Sequence, residues 1–168
     1  MKKMTEENLK AAFAGESQAH MKYLAFSRKA EAEGKPNVAR LFAAASYAEQ
    51  VHATAHLRVL KGIGGTADNL GAAMAGEAFE VEEMYPAYIA AADAQEEKAA
   101  KTAFHRAMDA EVVHHRLYSR AKQAVEAGRD AEIGPVWVCE VCGHTVEGNE
   151  PPDQCPLCQA RKEKYVRF

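Results

Sequence analysis

The chain has 168 residues, 48% of them hydrophobic, with 21 Lys and Arg against 24 Asp and Glu and a net charge of −3. That size and apolar content can bury a core, which excludes a disordered chain, and the slightly acidic balance argues against nucleic acid, whose binders carry a basic surface. No run approaches the roughly 18 uninterrupted apolar residues of a membrane span, and no apolar segment follows the N-terminal Met-Lys-Lys-Met, so a cytoplasmic protein is expected.

The first 138 residues lack Cys and are rich in the helix formers Ala, Glu, Lys, Leu and Met. Thr5 is placed to cap a first helix that runs to about Glu33, where Gly34 ends it. Pro36 suits the start of a second helix, stopped after about Lys61 by Gly62, Gly64 and Gly65. A looser stretch to Gly71 leads into a third helix over Ala72 to Ala94, with a kink expected at Pro86. A fourth covers about Glu96 to Ala127 and ends at Gly128. Four helices of this size, on the order of 35–45 Å long, predict an all-α four-helix bundle over residues 1–134.

Residues 135–168 read differently. Val136-Trp137-Val138 and Lys164-Tyr165-Val166 are β-like runs, separated by turn-forming Gly and Pro. This segment is too short for a core of its own, so a metal must contribute to its folding. Its four cysteines form two knuckles, Cys139-x-x-Cys142-Gly and Cys155-Pro-x-Cys158. Four thiolates in a tetrahedron hold zinc or a single iron. Spacing alone suits a zinc ribbon. Gly143, Pro156, Trp137 and Tyr165 turn the reading toward iron, which can pass one electron.

The helical part contains an internal echo. Ala14-Gly15-Glu16 resembles Ala75-Gly76-Glu77, and Glu49-x-x-His52 resembles Glu111-x-x-His114. Glu16 precedes Glu49 by 33 residues and Glu77 precedes Glu111 by 34, so one helix pair is repeated. Positions i and i+3 share a helix face, so each Glu and its His point the same way. Buried carboxylates are costly unless paired or bound to metal. Two Glu-x-x-His helices with two Glu helices are the ligand set of di-iron carboxylate bundles, and hard oxygens with imidazole suit iron or manganese.

Glu80 has no counterpart, because Ala19 stands at the matching place. With it, five carboxylates balance two ferric ions and a bridging hydroxide, whereas four balance two ferrous ions. Glu80 and neutral His52 are thus the candidates to exchange on one metal. His20, His56 and His115 read as surface or supporting residues, and Glu82, Glu83, Glu96 and Glu97 as a solvated face. Phe42, Met108 and Leu117 read as core. Tyr23 and Tyr85, about two turns beyond Glu16 and Glu77, are expected to hydrogen-bond ligand carboxylates, with core filling as the alternative reading.

Together, Ala-Gly-Glu16-Ser-x-Ala-His-x-x-Tyr23, Glu49-x-x-His52, Gly-Glu77-x-x-Glu80-x-x-x-Met-Tyr85-Pro, Glu111-x-x-His114 and the cysteine knuckles resemble the rubrerythrins over essentially the whole chain. The resemblance implies a ferritin-like di-iron domain fused to a rubredoxin-like Fe(Cys)4 domain. It implies two Fe held by Glu16, Glu49, His52, Glu77, Glu80, Glu111 and His114, and one Fe held by Cys139, Cys142, Cys155 and Cys158. It also implies reduction of hydrogen peroxide to water, with electrons from an external NAD(P)H-linked reductase or a rubredoxin. A head-to-tail homodimer is implied too, with exchange of helices between chains left open. His144 departs from many relatives, which carry Tyr there. Two other classes share parts of the pattern: ferritin-like iron storage, which needs no thiolate tail, and a non-enzymatic zinc-ribbon module.

Overall fold

The computed structural model describes residues 1–168. The backbone forms two compact units, Met1–Gly64 and Gly65–Phe168. The first is a helical hairpin of α1 (Lys3–Ala32) and α2 (Pro36–Val59). Gly34 takes a left-handed φ of 68° that ends α1, and Pro36 opens α2. Thr5 lies inside the first turn of α1 and does not cap it; Lys2 precedes the helix with no side-chain cap. Small residues let the two helices approach: Ala30, Ala39, Ala53 and Ser46 are buried. Ser27 Oγ donates to the Ala39 carbonyl at 2.8 Å, which fastens α1 to α2.

The second unit begins with α3 (Thr66–Phe79), a π-helical turn (Glu80–Met84) and α4 (Tyr85–Ala94), which run on as one helix, followed by α5 (Lys98–Glu126). The helix starts at Thr66, earlier than the expected Ala72, because Gly65 supplies the extended residue before it and Asp68 favours its first turn. The irregularity expected at Pro86 lies before it, over Glu80–Met84. Pro86 has no N–H and its ring crowds the carbonyl one turn back; the wider π turn makes room, with the Tyr85 N–H reaching the Glu80 carbonyl.

Gly128, at φ 73°, ends the last helical stretch. The tail forms a three-stranded antiparallel sheet, ordered β2 (Thr145–Glu147), β1 (Val136–Cys139), β3 (Tyr165–Arg167). Val138 pairs with Thr145, and Cys139 with Tyr165. Cys139, Cys155 and Tyr165 form its small core, flanked by Trp137, Val146 and Leu157. The fold is therefore helical, with four long helices and a small cysteine-bearing sheet. No helix is long and apolar enough to cross a membrane.

Both hairpins repeat one arrangement. Tyr23, Phe26 and Phe42 form an aromatic trio with ring centroids 5.5–6.3 Å apart. Tyr85, Tyr88 and Phe104 form its counterpart at 5.6–6.5 Å. Tyr23 follows Glu16 by seven residues and Tyr85 follows Glu77 by eight. The π turn absorbs the extra residue, since one such turn inserts a residue without ending the helix.

Candidate metal centres

Each helical hairpin brings together one predicted Glu–Glu–His set. Glu16, Glu49 and His52 have ligand atoms within 4.8 Å of one another, as do Glu77, Glu111 and His114. In the first, His52 Nδ1 lies 3.1 Å from Glu49 Oε2 and 3.9 Å from Glu16 Oε1. In the second, His114 Nδ1 lies 2.6 Å from Glu111 Oε2 and 3.9 Å from Glu77 Oε1. In both triads Nδ1 is therefore the nitrogen that faces the carboxylates.

The carboxylates also share protons. A hydrogen bond donated to Glu49 raises the Glu16 carboxyl above its usual range, while accepting that bond, with one from His52, holds Glu49 below it. The second triad is more enclosed, and its His is 27% exposed against 56% for His52. Burial first, then the Glu111 hydrogen bond and the charges of Glu111 and Glu80, lift Glu77 to about 8. Glu80 is raised by burial and by Glu111, and lowered by His114. It thus stands beside the second triad, on the π turn. A protonated buried carboxyl next to a second carboxylate and an imidazole is a donor set that a cation can complete by replacing the proton.

Tyr23 and Tyr85 sit in the aromatic trios. Burial and the charges of Glu80, Glu111 and Glu77 raise the Tyr85 phenol. Tyr118 was missed in the sequence. Burial, Glu77 and Glu111 raise its phenol, and its ring lies 6.5 Å from His114. Its signal was its place four residues beyond His114, where the first repeat has His56 four beyond His52. His20, read as a surface or supporting residue, ties the hairpin: Ser46 Oγ lies 2.9 Å from its Nδ1 and donates to its backbone carbonyl at 2.9 Å. Phe42, Met108 and Leu117 are half-buried.

The four cysteines converge. Cys139 and Cys158 Sγ lie 3.7 Å apart, and Cys142 and Cys155 Sγ 3.5 Å. A tetrahedron with metal–sulfur bonds of about 2.3 Å has edges of about 3.8 Å, so the thiolates fit one ion. The knuckles are copies. Cys139 N–H donates to His144 O and Gly143 N–H to Cys139 O; Cys155 N–H donates to Ala160 O and Gln159 N–H to Cys155 O. Gly143 and Gln159 are left-handed at the same step, with φ 80° and 63°. Burial opposes charge on Cys155, but hydrogen bonds from the Tyr165 hydroxyl and from Cys158 and Leu157 bring its thiol down to about 6. His144 Nδ1 lies 2.8 Å from the Tyr165 hydroxyl, so the departure at position 144 extends this chain by one link.

Two expected outcomes follow from this geometry. Tyr165→Phe removes a donor to Cys155 and disfavours the more negative, reduced site. Loss of about 1 kcal/mol at 59 mV per tenfold for one electron lowers its potential by roughly 40 mV. Redox titration of the tail's visible absorption checks this, and an unchanged potential removes the hydrogen bond from the account. The second concerns Glu77. An acid raised from 4.5 to about 8 binds more protons folded than unfolded between those values. The metal-free protein therefore loses stability as pH rises through that window. Urea midpoints should fall across it, Glu77→Gln should flatten the fall, and a rising Glu77-dependent midpoint contradicts the assignment.

The comparisons with known proteins agree over nearly the whole chain. The rubrerythrin family model matches residues 7–122, and the rubrerythrin rubredoxin-like domain model matches residues 137–166. Rubrerythrin-2 of Clostridium acetobutylicum is 40% identical, covering 98% of this chain and 97% of its own. Nigerythrin of Nitratidesulfovibrio vulgaris is 33% identical over 98% of this chain and 86% of its own. Among solved structures, fully reduced, all-ferrous nigerythrin matches with a TM-score of 0.56 at 32% identity, over 98% of this chain and 86% of that one. With the family's di-iron and rubredoxin-like donor sets both present in its side chains, the chain belongs to the rubrerythrin family.

Proposed function

We propose that this protein is a di-iron peroxidase that reduces hydrogen peroxide to water in defence against oxidants. The observation that carries the reading is the presence, in one chain, of two Glu–Glu–His triads and a four-thiolate site. In this reading residues 1–134 are the di-iron domain and 135–168 the Fe(Cys)4 domain. Glu16, Glu49, His52, Glu77, Glu80, Glu111 and His114 hold two Fe; Cys139, Cys142, Cys155 and Cys158 hold one. Iron held by the helical residues would supply the two electrons that peroxide needs, and iron held by the thiolates would return electrons singly.

The protein's own groups have definable tasks. Glu77 surrenders its proton when a cation enters, because the two compete for one carboxylate. Tyr85 and Tyr118 keep their protons near the carboxylates, held neutral by burial and negative neighbours, so they act as hydrogen-bond donors. Tyr23 takes the corresponding place in the first hairpin. Glu80 and His52 are the exchangeable pair: the carboxylate suits the oxidised metals and the neutral imidazole the reduced ones. The greater exposure of His52 relative to His114 supports its being the one that leaves.

Reducing equivalents come from a separate reductase, NAD(P)H-linked, or from a rubredoxin, in the cytoplasm. The assembly is a homodimer; exposed Leu41, Tyr47 and Val51 on α2 support a covered face there. Ferritin-like storage accounts for the triads but leaves the thiolate site without a task.

Protein assembled with ample iron should hold three irons per chain and show the red absorption of Fe(Cys)4; zinc in the tail without colour removes its electron-transfer role. In such protein Cys139→Ser with Cys142→Ser should abolish the colour and steady peroxide turnover with a reductase, yet leave a single turnover of the chemically reduced protein. Steady turnover that persists unchanged overturns the relay. Glu80→Ala should raise the reduction potential of the helical irons, since it removes a negative charge that favours the ferric state, and His52→Ala should lower it. Equal potentials in parent and both variants, by redox titration, eliminate the exchange.

A further inference from the structure

His114 is held from both sides. Its Nδ1 faces Glu111 and Glu77, and its Nε2 lies 2.7 Å from the hydroxyl of Thr145, on β2 of the cysteine tail. Thr145 is buried, and its own proton is committed to the Gly143 carbonyl at 3.0 Å. The oxygen is therefore left to accept, which keeps the imidazole proton on Nε2 and the lone pair of Nδ1 on the triad side. Gly143 directly follows Cys142, and its own N–H donates to the Cys139 carbonyl inside the knuckle. The shape of the knuckle thus sets a carbonyl, the carbonyl sets a hydroxyl, and the hydroxyl sets the imidazole.

The contact is part of a seam. Side chains two apart on a strand share a face, and Glu147, two beyond Thr145, pairs with Arg120 of α5. Its other oxygen accepts from Gly134 N–H at 2.7 Å, just before β1. Strand β2 is thereby fastened to α5 at two points.

We propose that Thr145 is the positioning residue for His114, its hydroxyl tying the imidazole of the Glu77–Glu111–His114 triad to the Gly143 carbonyl of the knuckle in the same chain. The proposal rests on His114 being an iron ligand. It makes metal in the tail and metal at this triad mutually supportive, because the folded knuckle presents the acceptor that orients the ligand. Outer partners of a ligating His commonly contribute 10–100-fold to metal affinity.

The test uses the full chain with its tail filled, titrated anaerobically with ferrous iron, the tail's visible absorption reporting that the knuckle is intact. Thr145→Val should keep that absorption and weaken ferrous binding at the helical sites about 10–100-fold. Thr145→Ser, which keeps the hydroxyl, should restore parent affinity. His114→Ala is the control for the ligand reading. Parent affinity in Thr145→Val while His114→Ala binds weakly overturns the positioning role alone. Parent affinity in both overturns the ligand reading and the proposal with it. Weak binding in Thr145→Ser as well as Thr145→Val shows that shape, not the hydroxyl, matters, and also overturns it. If Thr145→Val loses the tail absorption, Thr145→Ser decides: parent affinity upholds the hydroxyl's role, and weak binding ends it.

Discussion

Two carboxylates cannot share a sheltered corner unless a proton or a cation lies between them. That constraint organises this protein. Glu77 and Glu111 meet in the second hairpin, where burial and mutual repulsion keep Glu77 protonated well into the neutral range. Glu16 and Glu49 meet in the first with less enclosure and a milder conflict. A multivalent cation in either corner relieves its conflict, and a cation that changes valence makes the number of nearby carboxylates matter. Without a metal these helices carry an electrostatic liability, and their small interior of Ala and Ser does little to offset it.

Symmetry supplies the two corners and asymmetry gives them different work. The aromatic trios, the Glu residues and the Glu-x-x-His turns are paired. The differences are local. The first hairpin places a polar link, His20 to Ser46, where the second has Val81 and Met108. The second carries Glu80, Tyr118 and the contact with β2. One imidazole is braced and the other is loosely held, so the two metals would have unlike freedom to change ligands.

Much of this is legible in the sequence. Chemistry at fixed spacing survives translation into a helix, so Glu49 with His52 and Glu111 with His114 could be paired from i, i+3 geometry alone. The cysteine knuckles were equally plain, since their spacing is dictated by the turn that offers two thiolates to one ion. Illegible were features set by contacts far apart in sequence. Tyr118 is an ordinary helical Tyr until it is seen beside Glu77. Thr145 belongs to a three-residue strand too short to announce itself, and its partner lies 31 residues away. The π turn escaped because Pro86 suggested a kink at the proline, whereas the helix adjusts one turn earlier.

That turn has a mechanical consequence. A π turn is a segment of helix with one residue too many, closed by i→i+5 hydrogen bonds in place of the α ladder. Pro86 offers no N–H to tighten it from below. Glu80 is therefore mounted on slack within an otherwise stiff rod. The irregularity is confined to five residues, with Glu77 on the α segment before it and Tyr85 opening the α segment after it. The surplus residue acts as a bearing at Glu80, leaving the helical ladder on either side intact.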